Sequence, residues 1–244
     1  MAQQTQISRV VPFYERFMAR FPTVESLASA PLADVLGAWS GLGYNRRARY
    51  LREAAVQVAH HGWPDTAQGL RALPGVGPYT AAAVACFAFG QPVAAVDTNL
   101  RRVLSRWHGR ELAGAALEEA AAGDLDVDRA ADWNQALMDL GGQLCTRTPQ
   151  CEECPVAQWC ADPAIYAPPP RQPTFTGSSR QARGAILKSL VATGSASEAE
   201  LVAQTKIHRI RVQRALKDLH TERMVHHENG TWSLTTDHRN PQGT

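Results

Sequence analysis

The side chains with the most distinctive chemistry in this sequence are four clustered cysteines, Cys145, Cys151, Cys154 and Cys160, which are spaced C-x5-C-x2-C-x5-C. Four thiolates can hold either a zinc ion or a [4Fe–4S] cluster. Zinc sites usually use two close C-x2-C pairs, whereas this segment has one close pair between two wider arms. The spacing therefore favours an iron–sulfur cluster over zinc, and a segment without metal is the least favoured interpretation. The fifth cysteine, Cys86, lies in an apolar run and is expected to be a buried small hydrophobe.

A glycine-containing loop, LPGVGPYT, is the second candidate site. Gly75 and Gly77 can both adopt positive φ, and Pro78 suits the first turn of a following helix. Such a loop, with Val76 between the glycines, would direct backbone N–H groups outward at a helix N-terminus, where a DNA phosphate can bind. With a helix on each side it forms a helix–hairpin–helix element. The simpler alternative is a tight turn without a ligand.

Asp97, in VDTNLRRVL, ends an apolar run and begins a helix. The simplest role for an aspartate there is that of an N-cap. A carboxylate at the edge of an apolar pocket could instead stabilise a positively charged sugar carbon. The residue pattern leaves both interpretations open.

The elements that must position these residues are predicted to be helices. Apolar residues recur at helical spacing from residue 3 to 160, and no alternation of strands and helices is visible. Residues 163–179 contain five prolines and predict a linker. After it, a capping box at Ser197 and Glu200 and a hairpin turn at Asn229 and Gly230 predict a small winged-helix domain.

The third helix of that domain, at residues 208–220, would enter a DNA major groove. Lys206 and Arg209 are expected to face outward, toward phosphates. Residues 180–226 carry nine Lys and Arg against four Asp and Glu, which gives +5 for this segment. The alternative is that the domain only packs on the rest of the chain or binds a protein.

The formal net charge of +2 is uninformative by itself, but its distribution is not. The segment RRARYLR contains Arg46 and Arg47 without an acidic residue, so both are candidate DNA contacts. No apolar run reaches about 18 residues, which excludes a membrane span. We also expect that the first residues are not a secretory signal and that the protein is cytoplasmic, where thiols stay reduced.

Several segments occur together in a recognisable order: QQTQISRVVPFYERFMARFPT, WSGLGYNRRAR, LPGVGPYT, VDTNLRRVL, ALMDLGGQLCT and the four cysteines. Over residues 1–160 they resemble the MutY-type adenine DNA glycosylases of the endonuclease III superfamily. The resemblance implies an all-α, two-lobed helix–hairpin–helix glycosylase fold with an iron–sulfur loop, followed by the small winged-helix-like α+β domain. The expected boundaries are 1–162 for the glycosylase domain (six-helix barrel about 8–96, iron–sulfur lobe about 97–162), 163–179 for the linker and 180–238 for the C-terminal domain.

The resemblance also implies an activity, the excision of adenine mispaired with 8-oxoguanine or guanine in double-stranded DNA. The expected protein is a nucleoid-associated monomer that carries a [4Fe–4S] cluster. Asp97 would match the catalytic aspartate, and Asn99 its neighbour at the helix start. Tyr79 stands where strand-cleaving relatives carry a Schiff-base lysine, so the enzyme should be monofunctional, with Tyr79 hydrogen-bonded to Asp97. Gln4 would wedge into the base stack.

Three more residues, Thr5, Leu42 and Tyr44, would lie near the opposing purine. The sequence departs from the family pattern in two places. The family's proton-donating glutamate would lie two residues before Met1, so we expect either that the natural protein starts upstream, which we favour, or that catalysis is impaired. The first cysteine spacing is one residue shorter than the family's usual x6.

Two other functions are compatible with parts of the pattern. A pyrimidine-damage glycosylase/lyase shares the superfamily motifs, but Tyr79 in place of lysine argues against it. A non-catalytic iron–sulfur DNA-binding or regulatory protein would explain the absent glutamate. The joint presence of Asp97 and Tyr79 argues for the enzyme.

Overall fold

The computed structural model describes residues 1, 7–166, 168 and 174–236, and these residues are mainly helical, as the sequence predicted. Three short strands lie near the C-terminus. The elements are α1 (Ile7–Arg20), α2 (Val24–Ser29), α3 (Leu32–Trp39), α4 (Arg46–His61), α5 (Ala67–Arg71), α6 (Pro78–Phe89), α7 (Thr98–Trp107), α8 (Gly114–Asp124), α9 (Ala130–Gln143), α10 (Ser179–Thr193), β1 (Ser195–Ala196), α11 (Glu198–Thr205), α12 (Arg209–Thr221), β2 (Val225–Glu228) and β3 (Thr231–Leu234).

The chain divides into two compact units. One contains the described residues of Met1–Gly62 and Gln172–Thr244, and the other is Trp63–Arg171. This division cuts across the expected boundaries near residues 96 and 162, which stay predictions. Within the described helices, none is both long and apolar enough to cross a membrane.

The first unit joins α1–α4 and the C-terminal domain through one hydrophobic core. Trp39 of α3, Ile186 of α10 and Leu219 of α12 are all at most 1% exposed and belong to the same cluster. The Trp39 indole N–H donates to the Gly43 carbonyl at 2.9 Å, which anchors the turn between α3 and α4. The C-terminal domain is therefore packed on the N-terminal helices.

The C-terminal domain has the predicted winged-helix architecture. The order α10, β1, α11, α12, β2, β3 gives an antiparallel sheet with strand order β1-β3-β2. Ser197 and Glu200 form the predicted capping box of α11, and Asn229 and Gly230 both have positive φ, as a type I′ hairpin requires. The two-residue strand β1 was not predicted, because two residues are too short to show an alternating pattern.

The second unit packs α7, α8 and α9 around a smaller core. Leu100, Val103 and Leu104 of α7 are fully buried against Leu137 of α9. Cys86 of α6 is 2% exposed, as expected of a small buried hydrophobe. This core fixes the helix whose first residue follows Asp97.

Candidate functional site

The glycine loop lies between α5 and α6 and forms a helix–hairpin–helix turn. Gly75 has a φ of 73°, the left-handed conformation that favours glycine. Gly77, which can also adopt positive φ, is instead extended (φ −86°) and serves as the N-cap of α6. Pro78 is the first residue of α6, as predicted.

The backbone amides of this loop differ in their availability. The Val76 amide donates to the Leu73 carbonyl at 3.2 Å and closes the turn. Gly75 and Gly77 are exposed, and within the described residues their amides have no acceptor. Two N–H groups at the start of a twelve-residue helix can therefore bind an anion such as a phosphate.

Asp97 is the N-cap of α7, as the simpler interpretation predicted. Its Oδ1 accepts hydrogen bonds from the amides of Asn99 and Leu100, both at 2.8 Å. The residue is half-buried, and no described residue donates a hydrogen bond to Oδ2. One carboxylate oxygen thus caps the helix while the other is available to a ligand, so the two interpretations are compatible.

Tyr79 lies in the first turn of α6, close to Asp97. Burial raises the pKa of its phenol, and the negative charge of Asp97 raises it further, so the hydroxyl stays protonated at neutral pH. The side chain is 39% exposed. The expected hydrogen bond from Tyr79 to Asp97 is not formed among the described residues; the two groups are electrostatically coupled neighbours.

Asn134 of α9 holds the segment that leads into Asp97, and sequence reasoning missed it. Its side chain is fully buried, accepts from the Ala95 amide at 2.7 Å and donates to the Val93 carbonyl at 2.9 Å. These bonds satisfy backbone groups outside any helix or strand, so they fix the path of the chain before the N-cap. A single amide on an otherwise apolar helix face could have signalled this role.

Arg102 of α7 connects the start of that helix to the first cysteine, and it was also missed. Its guanidinium donates to Asn99 Oδ1 at 3.0 Å, to the Gly141 carbonyl at 2.5 Å and to the Cys145 carbonyl at 2.7 Å. Asn99, predicted as the neighbour of the catalytic aspartate, therefore acts in the structure as an acceptor for Arg102. The i, i+3 spacing of Asn99 and Arg102 on a helix was the available signal.

The four cysteines line one cavity of about 90 Å³. Burial raises the pKa of the Cys160 thiol, and the neighbouring Cys145 and Cys151 thiols raise it further, so the sulfurs lie near one another. Among the described residues, no three His, Cys, Asp or Glu side chains converge closely enough to hold a single metal ion. Four cysteines that line one cavity supply the set of thiolate ligands that a [4Fe–4S] cluster takes.

Arg106 is a buried cation at the wall of this cavity. It is 1% exposed, and its guanidinium donates to Cys145 Sγ at 3.0 Å, to the Thr146 carbonyl at 2.8 Å and to the Ile165 carbonyl at 2.9 Å. It forms no ion pair with a carboxylate of the described residues. Among the described residues, Cys145 Sγ is the one side-chain atom that accepts a hydrogen bond from Arg106, so a thiolate there would supply a negative counter-charge.

The basic segment at the start of α4 belongs to the other compact unit. Arg46 forms an ion pair with Glu222, the C-cap of α12, and stays 54% exposed. Arg47 donates to the Met1 carbonyl at 3.0 Å, and its guanidinium lies over the Tyr44 ring. Both predicted DNA contacts thus have partners within the protein, and their contact with DNA stays a prediction.

The residues expected near the opposing purine are differently placed. Leu42 is 4% exposed and belongs to the hydrophobic core, so its side chain shapes the turn rather than presenting a surface. Tyr44 has a φ of 50°, and its hydroxyl accepts a hydrogen bond from Arg180 of α10 at 2.8 Å. Gln4 and Thr5 lie outside the described residues.

Comparison with known families agrees with this site. Residues 1–132 match the model of the HhH-GPD superfamily base excision DNA repair proteins. Residues 147–160 match the model of the iron–sulfur binding domain of endonuclease III. The matched segment begins after Cys145 and contains the other three cysteines. The cysteine loop is therefore an iron–sulfur site, as the spacing predicted.

Two similar proteins are both adenine DNA glycosylases. Adenine DNA glycosylase from Mycobacterium tuberculosis is 42% identical over 92% of this chain and 79% of its own length. The adenine DNA glycosylase of Homo sapiens is 42% identical over 66% of this chain and 31% of its own length.

Solved structures show the same fold. A thermostable thymine-DNA glycosylase superposes with a TM-score of 0.61 at 32% identity, over 65% of this chain and 78% of that one. A non-covalent endonuclease III–DNA complex gives a TM-score of 0.58 at 25% identity, over 66% and 79%. The chain therefore belongs to the adenine DNA glycosylases, within the HhH-GPD superfamily of base-excision DNA repair proteins.

Proposed function

We propose that this adenine DNA glycosylase acts, as a monomer, on adenine mispaired with 8-oxoguanine or guanine in duplex DNA. It hydrolyses the N-glycosidic bond and leaves the strand intact. The observation that carries the proposal is the geometry of Asp97, which caps α7 with Oδ1 and leaves Oδ2 without a hydrogen bond from the described residues.

The reaction requires the adenine to leave the base stack, at a cost of a few kcal/mol. When the bond from C1′ to the base breaks, both of its electrons leave with adenine, which takes up a proton from solvent because its anion is a poor leaving group. The sugar is left as an oxocarbenium-like cation at C1′. A carboxylate oxygen of Asp97 stabilises that positive charge until a water adds to C1′ and returns a proton to solvent, so that hydrolysis consumes one water in total.

Tyr79 makes the enzyme monofunctional in this proposal. A phenol cannot form the imine with C1′ that precedes strand cleavage, and a raised pKa keeps this phenol neutral. We infer that the hydroxyl acts as a hydrogen-bond donor to the DNA or to Asp97 in the complex. If borohydride trapped a covalent complex with DNA, the pyrimidine-damage lyase alternative would replace this one.

The DNA contacts follow from the same arrangement. The free amides of Gly75 and Gly77 bind a phosphate beside the excised nucleotide, with Val76 closing the turn. Contact with the opposing strand stays a prediction for Gln4, Thr5, Tyr44, Arg46 and Arg47, whereas Leu42 is buried and shapes the turn before Tyr44.

The iron–sulfur cluster has a structural role in this proposal. Cys145, Cys151, Cys154 and Cys160 would hold it, and iron–thiolate bonds would then join four points of the loop after α9. The protein's own contribution is to fix that loop: Arg102 holds the Cys145 backbone and Arg106 contacts its sulfur. Because Arg102 also donates a hydrogen bond to Asn99, an ordered cysteine loop also fixes the first turn of α7, the helix that Asp97 caps.

Asp97→Asn is the decisive variant, because asparagine caps a helix about as well as aspartate. We expect unchanged thermal stability but a loss of at least about 100-fold in single-turnover excision from an adenine:8-oxoguanine duplex. Asp126→Asn is the matched control, since Asp126 is another N-cap of the same unit, bonded to the Arg129 amide. If Asp97→Asn excised adenine as fast as the wild type, or if the wild type bound this duplex without excision, the proposal would be wrong.

A further inference from the structure

Helix α12 of the winged-helix domain has one face that no other part of the described chain covers. Val212, Leu216 and Leu219 point into the core and are at most 1% exposed. On the opposite side the exposed residues recur at intervals of three and four, so they form one stripe along the helix: Ile210, Gln213, Arg214 and Lys217. Ile210 is 68% exposed.

Three of the nine Lys and Arg residues between residues 180 and 226 have side-chain partners within this domain. Arg183 pairs with Glu222, and Arg209, which was expected to face DNA, pairs with Glu198 at 2.7 Å. Arg211 donates to the Ser178 carbonyl at 3.2 Å. These contacts neutralise or occupy three cations of the domain.

Of the described residues, Arg214 and Lys217 are the two cations without such a partner that lie on the exposed stripe of α12. Within the described residues neither side chain forms an ion pair or a hydrogen bond, and both are exposed. They lie on the same face as Ile210, on the third helix of a winged-helix domain. In this architecture the third helix enters the DNA major groove, and residues near its N-terminus meet base edges.

The helix is also held rigidly, which favours a preformed binding surface. Its C-cap, Glu222, accepts hydrogen bonds from Arg183 and Arg46, and the Glu222 carbonyl accepts one from Arg49 at 2.9 Å. Because Arg46 and Arg49 belong to α4, the exposed face of α12 is fixed to the N-terminal helices of the same unit.

We propose that the exposed face of α12 is a second contact surface for duplex DNA, in addition to the glycine loop. Arg214 and Lys217 bind backbone phosphates, and Ile210 packs against apolar base edges such as thymine methyl groups. Positive charge without an internal partner favours a polyanion. One exposed isoleucine is too small for the apolar centre of a stable protein interface, which needs about 800 Å² on each side.

The test measures affinity for an undamaged DNA duplex by fluorescence anisotropy over a series of salt concentrations. It does not require excision, so its outcome is independent of the proposed catalytic function. We expect Arg214→Gln and Lys217→Gln each to lower the slope of log K against log salt by about 1, and the double variant by about twice that. Ile210→Ala should weaken binding without changing the slope.

Lys188→Gln is the matched control, since Lys188 is an exposed lysine of the same domain, on α10. It should leave both affinity and slope near the wild-type values. Duplex RNA of the same sequence is the second control, because its major groove is too deep and narrow for a helix to read.

Three results would overturn the proposal. Unchanged affinity and slope in the double variant would exclude the α12 face as a DNA contact. An equal loss of DNA affinity in Lys188→Gln would mean that DNA binding depends on the net charge of the domain and not on the α12 face. A loss of RNA affinity equal to the loss of DNA affinity would exclude major-groove binding.

Discussion

Replacing Glu222 by glutamine removes one negative charge from the junction between α12 and α4. The carboxylate accepts two hydrogen bonds from Arg183, with N–O distances of 2.9 and 2.5 Å, and forms an ion pair with Arg46. Its side chain is only 15% exposed. Glutamine keeps the size of the side chain but carries no charge, and its NH2 group cannot accept the hydrogen bond that one carboxylate oxygen now accepts. Glu222→Gln therefore removes the charge together with one acceptor.

The size of the effect follows from the titration of this group. Burial by itself would raise the pKa of Glu222, but hydrogen bonds from Arg183 and Arg46 outweigh burial and lower the pKa from 4.5 to about 2. At about 1.4 kcal/mol per pH unit this difference corresponds to roughly 3 kcal/mol. Arg46 is 54% exposed and solvent screens its share, so we expect the free energy of unfolding to fall by about 1–2 kcal/mol.

The pH dependence has a definite sign. Because the pKa of Glu222 is lower in the folded than in the unfolded state, its contribution is fully present above pH 4.5 and is lost as the pH falls toward about 2. The difference in unfolding free energy between the wild type and Glu222→Gln should therefore shrink by more than half between pH 6 and pH 3.

Urea unfolding followed by circular dichroism at these two pH values measures the effect. At neutral pH the expected decrease corresponds to a Tm lower by roughly 2–8 °C. Glu228→Gln is the control, since the Glu228 side chain is 74% exposed and should contribute little. Equal stability of Glu222→Gln and wild type at pH 6, or a difference that stays constant down to pH 3, would refute the reasoning.

Two further predictions concern the helix that follows Asp97 and the cysteine loop. Gly141→Ala should destabilise the protein by about 1–3 kcal/mol and slow excision, because the added Cβ would lie 2.7 Å from the Asn99 Cβ. The control is Gly142→Ala, whose Cβ would have no atom within 4 Å and which should be neutral or stabilising by up to about 1 kcal/mol. Equal urea midpoints for the two variants would contradict this prediction. Arg106→Gln should lower the iron content and the absorbance near 400 nm of the purified protein, because it removes the hydrogen bond to Cys145 Sγ. The control is Arg110→Gln, since Arg110 is an exposed residue just after α7, and it should change neither quantity. Full iron content in Arg106→Gln would show that the cysteines hold the cluster without Arg106.

Local features of the site could be predicted from the sequence. The N-cap at Asp97, the capping box of α11 and the hairpin turn at Asn229 all occur as expected. Each depends on hydrogen bonds or backbone angles within three residues, so the local sequence is sufficient to specify it. The cysteine spacing predicted the iron–sulfur site for the same reason, since all four ligands lie in one loop.

Contacts between distant segments could not be predicted in this way. Arg102 reaches the carbonyl of Cys145, and Asn134 reaches that of Val93, which lies 41 residues earlier in the chain. Periodicity indicates which face of a helix is buried, but it does not indicate which backbone group an amide or guanidinium will meet there.

The charges show this limit most clearly. The sequence by itself determined the all-helical glycosylase pattern, the hairpin, the cysteine loop and a basic C-terminal domain. Only the tertiary structure decided which cations remain available, because Arg46 and Arg209 are paired with Glu222 and Glu198, 176 and 11 residues away. Arg214 and Lys217 have no such partner among the described residues. The partner of a charged surface residue depends on how elements distant in sequence pack together. That packing cannot be predicted from the number and sequence positions of the charged residues.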